Sequence, residues 1–404
     1  MNTDRRKKPY KRLRIALVGC GRASAGHLKA IRFFERRGYV ELAAIADRNR
    51  EALEAVIAGR GRRFPVPLRA DSVDEILGKT PIDLTVIATP PATHFSIAEK
   101  ALRAGTHLIV EKPFTLDVGE AEQLIEYARE RKRVMAVGMK YRYIPGVPEM
   151  KDLVGSGVLG EVLYGSVAVR WGHSQAYYDQ APWFGTWESE GGALMNQSIH
   201  AVDLMTWLMD AVPVEATGTL LRQCHQIEAA DLAVGTLLLK NNRLLLIEGT
   251  TNSDPRRREA SFFLRCERGT VNASVSGGIP KVTILGDGGR KYHRKLLADA
   301  VVNRVKREGI GVLKALGNPY TFMYGDILDA IEEGRPALAS AEAGLAALRH
   351  ILAVFQAGRE KRTVPFPPEA FILSDMRGFF DQESVPATEP DDTVKKKTSP
   401  IEKQ

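Results

Sequence analysis

An unbroken apolar run that ends in a glycine turn and then opens a helix constrains this chain more than any other feature. Residues 13–19 read LRIALVG, and the segment Gly19-Cys20-Gly21-Arg22-Ala23-Ser24 leads into a helical pattern over 23–37. Glycine at 19 permits the tight turn, and glycine at 21 lets the backbone approach a pyrophosphate at the helix N-terminus. The third position of this fingerprint is Ser24, which loosens helix–strand packing without forbidding it. The same unit recurs: VELAAIAD (40–47) with a helix over 49–58, IDLTVIAT (82–89) with a helix over 92–104, HLIVEK (107–112) with a helix over 118–131, then RVMAVG (133–138). Strands that are apolar throughout must be covered on both faces, as in a parallel sheet. Regular alternation with helices makes that sheet doubly wound.

This pattern predicts an α/β Rossmann domain over 13–140 that binds a dinucleotide. Asp47 closes the second strand 23 residues beyond Ser24, where a carboxylate takes both ribose hydroxyls. Asp47 favours NAD. Arg48 and Arg50 beside it can clamp a 2′-phosphate, which keeps NADP open. Gly19, Gly21, Arg22, Ala23, Asp47 and Arg48 are the expected cofactor contacts from this half of the fingerprint.

The rhythm changes after Tyr141. One helix over 147–156 precedes a series of strands at 162–170, 214–221, 232–239, 243–250, 261–266, 269–275 and 281–285, with a hairpin turn expected at Asn241-Asn242. Helices are expected over 197–209, 320–333 and 341–357, and a basic helix and a loop within 287–318. Strands in a run with helices to one side predict an α+β domain over 141–380 around an open, mostly antiparallel sheet.

The formal net charge of +8 raises the question of nucleic acid. Its location answers it: residues 1–14 hold seven Lys/Arg against Asp4 alone, and the segment from Asp381 is acidic overall. A basic disordered leader over 1–12 and a disordered charged tail over 381–404 are therefore expected. No zinc-finger spacing, RNP-type strand or basic recognition helix is present, so no nucleic-acid partner is expected. No apolar run reaches membrane-spanning length, and the leader lacks the apolar segment of a signal peptide. Three widely spaced cysteines fit a reducing cytoplasm. Eight scattered histidines give no ligand spacing, so no metal is expected.

Four segments resemble the glucose-fructose oxidoreductase, inositol dehydrogenase and rhizopine catabolism (Gfo/Idh/MocA) family: VGCGRASAGH (18–27), ATPPATH (88–94), VEKP (110–113) and GGALMNQSIHAVDLMTWL (191–208). A softer match lies at 320–340. The resemblance implies hydride transfer between nicotinamide and a secondary alcohol or ketone carbon of a sugar, cyclitol or nucleotide-sugar. It also implies pairing of the open sheets in a homodimer or homotetramer. Carried over residue by residue, it implies that Thr89, Pro90 and His94 line the nicotinamide side. Glu111 and Lys112 then sit at the junction of cofactor and substrate, and His200 faces the reacting hydroxyl.

Oxidising a carbinol carbon needs a base for the hydroxyl proton and a donor for the developing alkoxide. Lys112 ends a predicted parallel strand, where such sheets place ligands. His200 is the better base, because imidazole titrates near neutral pH. Asn196, His200 and Asp203 fall at i, i+4 and i+7, on one face of the predicted helix. Asn196 is expected to take part in catalysis and, with Asp203, to bind the substrate; the alternative is a capping role for Asn196 and a structural pairing for Asp203. Many relatives have aspartate where this chain has Asn196, so a carboxylate-assisted relay is unavailable at that position. The segment 170–187 is rich in aromatics, and Arg170, Tyr178 and Trp183 are expected to meet the substrate, with Tyr177 and His173 nearby. Arg142 is placed either at the ligand or in a salt bridge at the domain junction. Two rival functions share this frame: an NAD-dependent glycosidase acting by transient oxidation, and a non-catalytic cofactor-binding sensor.

Overall fold

The computed structural model describes residues 11–61, 64–276, 279–368 and 370–381. Residues 1–10 and 382–404, nearly all of the expected leader and tail, lie outside the described residues. The first third alternates as anticipated: β1 (Leu13–Val18), α1 (Ser24–Glu35), β2 (Val40–Ala46), α2 (Arg50–Ala58), β3 (Leu68–Ala70), α3 (Val73–Lys79), β4 (Leu84–Ile87), α4 (His94–Arg103), β5 (His107–Val110), α5 (Val118–Glu130) and β6 (Met135–Val137). The strands pair in parallel in the order β3-β2-β1-β4-β5-β6. The order reverses between β1 and β4, which opens a crevice at their carboxyl ends. β4 is buried along its whole length, as a strand covered on both faces must be. Side chains of Asn49, Ser72 and Asp117 cap α2, α3 and α5 by accepting from backbone amides in the first turn. The three-residue β3 follows a proline-bearing link and carries too short a pattern to be anticipated.

The rest of the chain forms α6 (Val147–Gly155), β7 (Val162–Trp171), α7 (Gln175–Tyr178), α8 (Ile199–Leu208), β8 (Pro213–Leu221), β9 (Leu232–Leu239), β10 (Arg243–Thr250), β11 (Arg258–Cys266), β12 (Gly269–Ser276), β13 (Ile279–Gly286), α9 (His293–Glu308), α10 (Pro319–Glu333), α11 (Ala341–Glu360) and β14 (Val364–Pro365). The second sheet runs β13-β12-β11-β7-β10-β9-β8-β14. All neighbours are antiparallel except β7 and β10. Asn241 and Asn242 reverse the chain between β9 and β10 with φ of 62° and 56°, the left-handed conformation that asparagine tolerates. α8 and α11 cover one face of this sheet. The opposite face leaves Val234 and Leu246 exposed. No helix among the described residues is long and apolar enough to cross a membrane.

Two departures matter for the site. The helix expected over 197–209 begins as a π-helical turn, Ala193–Ser198, and becomes α-helical only at α8. Gly191 and Gly192 enter it with φ of 75° and 66°, and the Ala193 amide donates to the Ala230 carbonyl. A π turn is wider than an α turn, so Asn196 and His200 are not related by the α-helical i, i+4 spacing. The second departure is connectivity. α10 packs on α1, and α11 touches α5 and β6 as well as β8 and α8. The Val137 amide donates to the Ala339 carbonyl, which extends the first sheet beyond β6 with a segment from the far end of the chain.

Candidate active site

The glycine turn has the geometry its sequence demands. Gly19 has φ of +100°, and a Cβ there would lie 2.5 Å from the Ala88 carbonyl oxygen. A Cβ at Gly21 would meet no protein atom within 4 Å, which leaves its outer side open to a ligand. Ala23 precedes α1 without a side-chain cap, and the first-turn amides of Ser24 and Gly26 bond only to the Gly21 and Ala23 carbonyls of the turn itself, at 3.1 and 3.3 Å. The Asp47 carboxylate stands at the end of β2 and accepts from the amides of Cys20 and Asn49 at 2.6 and 2.7 Å. It is thereby aimed along the turn. Arg48 beside it is exposed, and Arg50 pairs with Asp71 at 2.9 Å. Arg22 lies over the Tyr177 ring, so it bridges the turn and the second sheet's loops.

After β4, Thr89 and Pro90 accept hydrogen bonds from the Thr93 hydroxyl. His94 is buried, with Nε2 3.0 Å from the Thr89 carbonyl and Nδ1 2.9 Å from that of Pro113. Burial lowers its pKa, against the pull of those carbonyls. His94 therefore ties the loop after β4 to the loop after β5 through its two ring nitrogens.

Two residues after β5, the half-buried Lys112 donates to the Asn196 carbonyl oxygen at 2.5 Å and to Asn196 Oδ1 at 3.0 Å. Burial brings its pKa down to about 8; Glu111 and Glu190 oppose the fall, and Lys140 adds to it. Glu111 faces the other way. Its carboxylate accepts from the Tyr320 hydroxyl at 2.5 Å and from His27 Nε2 at 3.0 Å, while His27 Nδ1 lies 3.1 Å from the Tyr324 hydroxyl. Burial alone would raise the Glu111 pKa, yet the His27 and Tyr320 contacts hold it below the usual carboxylate range.

His200, at the start of α8, is 4% exposed and stacks on Tyr141 with ring centroids 4.9 Å apart. Its Nδ1 is buried without a hydrogen-bond partner. Burial first, then the charges of Lys140 and Lys112, holds its pKa well below the usual histidine value. At neutral pH the ring is uncharged. It lies within electrostatic reach of the Lys112 ammonium at the carboxyl end of β5.

Family comparison decides what this constellation belongs to. Residues 13–139 match the Gfo/Idh/MocA model for the oxidoreductase family's NAD-binding Rossmann fold, and residues 151–366 match its C-terminal alpha/beta domain. The chain belongs to the Gfo/Idh/MocA oxidoreductase family. This Gfo/Idh/MocA member is 29% identical over 346 residues to UDP-N-acetylglucosamine 3-dehydrogenase of Acidithiobacillus ferrooxidans, spanning 85% of this chain and 96% of that one. It is 26% identical to inositol 2-dehydrogenase of Rhizobium meliloti, over 87% and 98% of the two chains. The WlbA dehydrogenase of Bordetella pertussis, solved with NADH and UDP-GlcNAcA, shares its fold with a TM-score of 0.77 at 27% identity, covering 89% of this chain and 99% of that one. The chain is an NAD-binding dehydrogenase; its glycine turn and Asp47 anticipated the nucleotide, and the family resemblance implied the reaction class.

Within the Gfo/Idh/MocA chain, several expected substrate contacts are committed elsewhere. Arg142 grips Asp203 through two hydrogen bonds and donates a third to the Leu338 carbonyl, so both side chains are consumed in a buried junction pair. Arg170 is not brought to the site: it pairs with Glu248 on the sheet face opposite α8, because alternate residues of a strand point to opposite faces. Tyr178 turns inward and donates to the Thr251 hydroxyl at 2.9 Å. Trp183 packs on Phe184, beside a stack in which His173 and Tyr177 lie 3.9 Å apart. From this aromatic loop it is Tyr177 that reaches Asn196 and Arg22.

Sequence reasoning missed His27, Tyr320 and Tyr324, although they lie inside the matched segments 18–27 and 320–340. A histidine and two tyrosines on apolar helix faces read as core until their common partner, Glu111, is located. Glu190 was missed as well; its signal was an acid set directly against Gly191-Gly192.

Proposed function

We propose that this protein transfers hydride between NAD and a secondary alcohol or ketone carbon of a sugar, cyclitol or nucleotide-sugar, with Lys112 and His200 at the reacting oxygen. The observation that carries this reading is the pairing of a Lys112 ammonium, held by Asn196, with an uncharged His200 on the adjoining helix. Bound NAD supplies the hydride acceptor for the carbinol C–H. His200 takes the hydroxyl proton as the general base. Lys112 donates to the oxygen as negative charge develops on it. Asn196 aims the lysine, and Asp47 with the amides around Gly19, Gly21 and Arg22 holds the dinucleotide. Each Asp47 oxygen accepts one backbone amide, from Cys20 or Asn49, and keeps a lone pair for a ribose hydroxyl, which supports NAD over NADP. His94 and Glu111 fix the loops from which Thr89, Pro90 and Lys112 project.

Nucleotide-linked hexosamines and inositols are the first substrates to test, by analogy with the two relatives. The full chain is titrated with NADH and NADPH by nicotinamide fluorescence, then offered UDP-N-acetylglucosamine, inositols and free hexoses with NAD. Stoichiometric formation of reduced nicotinamide with one class is the expected result. Binding of neither nucleotide, after removal of any retained through purification, overturns the reading.

A further inference from the structure

The reaction as drawn leaves one buried carboxyl beside the reacting groups without a task. Glu190 is 2% exposed. One of its oxygens accepts from the Gly185 amide and the other from the Asn196 side-chain amide. Acceptance at both oxygens suits an ionised carboxylate. The opposite end of the same Asn196 side chain presents Oδ1 to the Lys112 ammonium at 3.0 Å. An amide between a carboxylate and an ammonium has one stable orientation, with its NH2 toward the first and its oxygen toward the second.

We propose that Glu190 is the positioning residue for Lys112: through Asn196 it fixes the ammonium's direction and supplies the negative charge that balances it. The proposal rests on Lys112 acting at the substrate oxygen, as set out above. It also gives a reason for asparagine at 196. A carboxylate there would meet the Glu190 carboxylate at hydrogen-bond distance, and two like charges so close cannot both stay ionised at ordinary pH. Glu190 and Asn196 together carry the single negative charge the site needs, one side chain further from the lysine.

The other charges around Lys112 are not hydrogen-bonded to its ammonium through Asn196. Glu111 also favours the charged lysine, and more strongly than Glu190, but its carboxylate is engaged by His27, Tyr320 and the Lys112 backbone amide and does not direct the ammonium. Lys140, following β6, adds positive charge, and His200 on α8 is neutral. Tyr177 and Tyr178, both near Glu190, have pKa values raised chiefly by burial and stay protonated. Burial raises the Glu190 pKa, while the Gly185 amide, Lys112 and Asn196 favour its charged form.

The test compares the wild-type chain with Glu190→Gln and with the double variant Glu190→Gln/Asn196→Asp, which moves the charge instead of deleting it. Two quantities are read: the alkaline limb of kcat/KM against pH, and the Lys112 titration followed by carbon-13 lysine resonances assigned through Lys112→Arg. Glu190→Gln should move both to lower pH by on the order of one unit, and the double variant should bring both back. An unmoved titration in folded Glu190→Gln overturns the proposal. A shift that persists in the double variant also overturns it, because Glu190 would then act only by anchoring Gly185. If Glu190→Gln does not fold, Asn196→Asp alone brings the single negative charge that the two carboxyls then share one side chain nearer the ammonium; the Lys112 titration should move upward, and an unchanged value overturns the proposal. The resonance titration needs no substrate, so a wild-type chain that turns over nothing counts against the reaction and still leaves Glu190 decided.

Discussion

Arg142 and Asp203 meet through two parallel hydrogen bonds of 2.9 and 2.7 Å in a space nearly closed to water. Arg142 follows the last strand of the first sheet and Asp203 lies on α8, so the pair stitches the two sheets beside the site. Arg142→Ala strands a buried carboxylate and should cost about 3–5 kcal/mol in chemical denaturation. Replacing both partners, as in Arg142→Met/Asp203→Leu, should cost clearly less, because no lone charge remains.

His200→Ala should reduce turnover by about 10²–10⁴-fold, the usual worth of a positioned general base. NADH affinity, read by fluorescence, should stay close to wild type. Full activity in this variant removes His200 from the reaction.

The lysine sets the alkaline side of the rate profile. Lys112 is charged below its pKa of about 8 and neutral above it, so kcat/KM for alcohol oxidation should fall as pH rises through that value. Lys112→Arg keeps its charge throughout this range. It should lower the rate, because the guanidinium is larger, and should abolish the limb near pH 8.

Nucleotide choice should follow Asp47. Its carboxylate repels a 2′-phosphate, and Arg48 stands ready to attract one. Asp47→Ser should shift the ratio of NADPH to NADH affinity by on the order of tenfold toward NADPH, a change worth about 1.4 kcal/mol. Separate fluorescence titrations with the two nucleotides measure it.

Glu111 links acid stability to the loop that carries Lys112. Its folded pKa lies below the unfolded value of roughly 4.3, so it contributes stability above that pH and loses it as pH falls further. Tyr320→Phe removes one donor and should cost about 1–3 kcal/mol at neutral pH. The gap between variant and wild type should narrow in strongly acidic solution, as followed by urea denaturation at several pH values.

The strands of the first sheet were legible because burial on both faces leaves no polar residues to blur them, as in Leu84–Ile87. Gly19 and Asp47 were legible because a turn against Ala88 and a carboxylate at a strand end each admit few residue types. The parallel pairing of β7 with β10 was not, since strands some eighty residues apart carry no mark of their partner's direction. Nor was the π turn at Ala193–Ser198, which is set by bonds to Ala230 and Lys112. Arg142 and Asp203 had each been assigned two roles, and only their mutual geometry chose between them. Glu190 was hidden for a related reason: its meaning depends on what the other end of Asn196 touches.

The return of the chain at Ala339 carries a consequence for biosynthesis. The edge of β6 emerges from the ribosome with its hydrogen-bonding groups bare, and its covering segment follows only after β7 to β13 of the second sheet have been made. A fragment cut after the Rossmann strands would keep that open edge and lose α10 from the back of α1, inviting edge-to-edge aggregation. The nucleotide-binding half therefore closes its sheet edge only once the segment around Ala339 has docked.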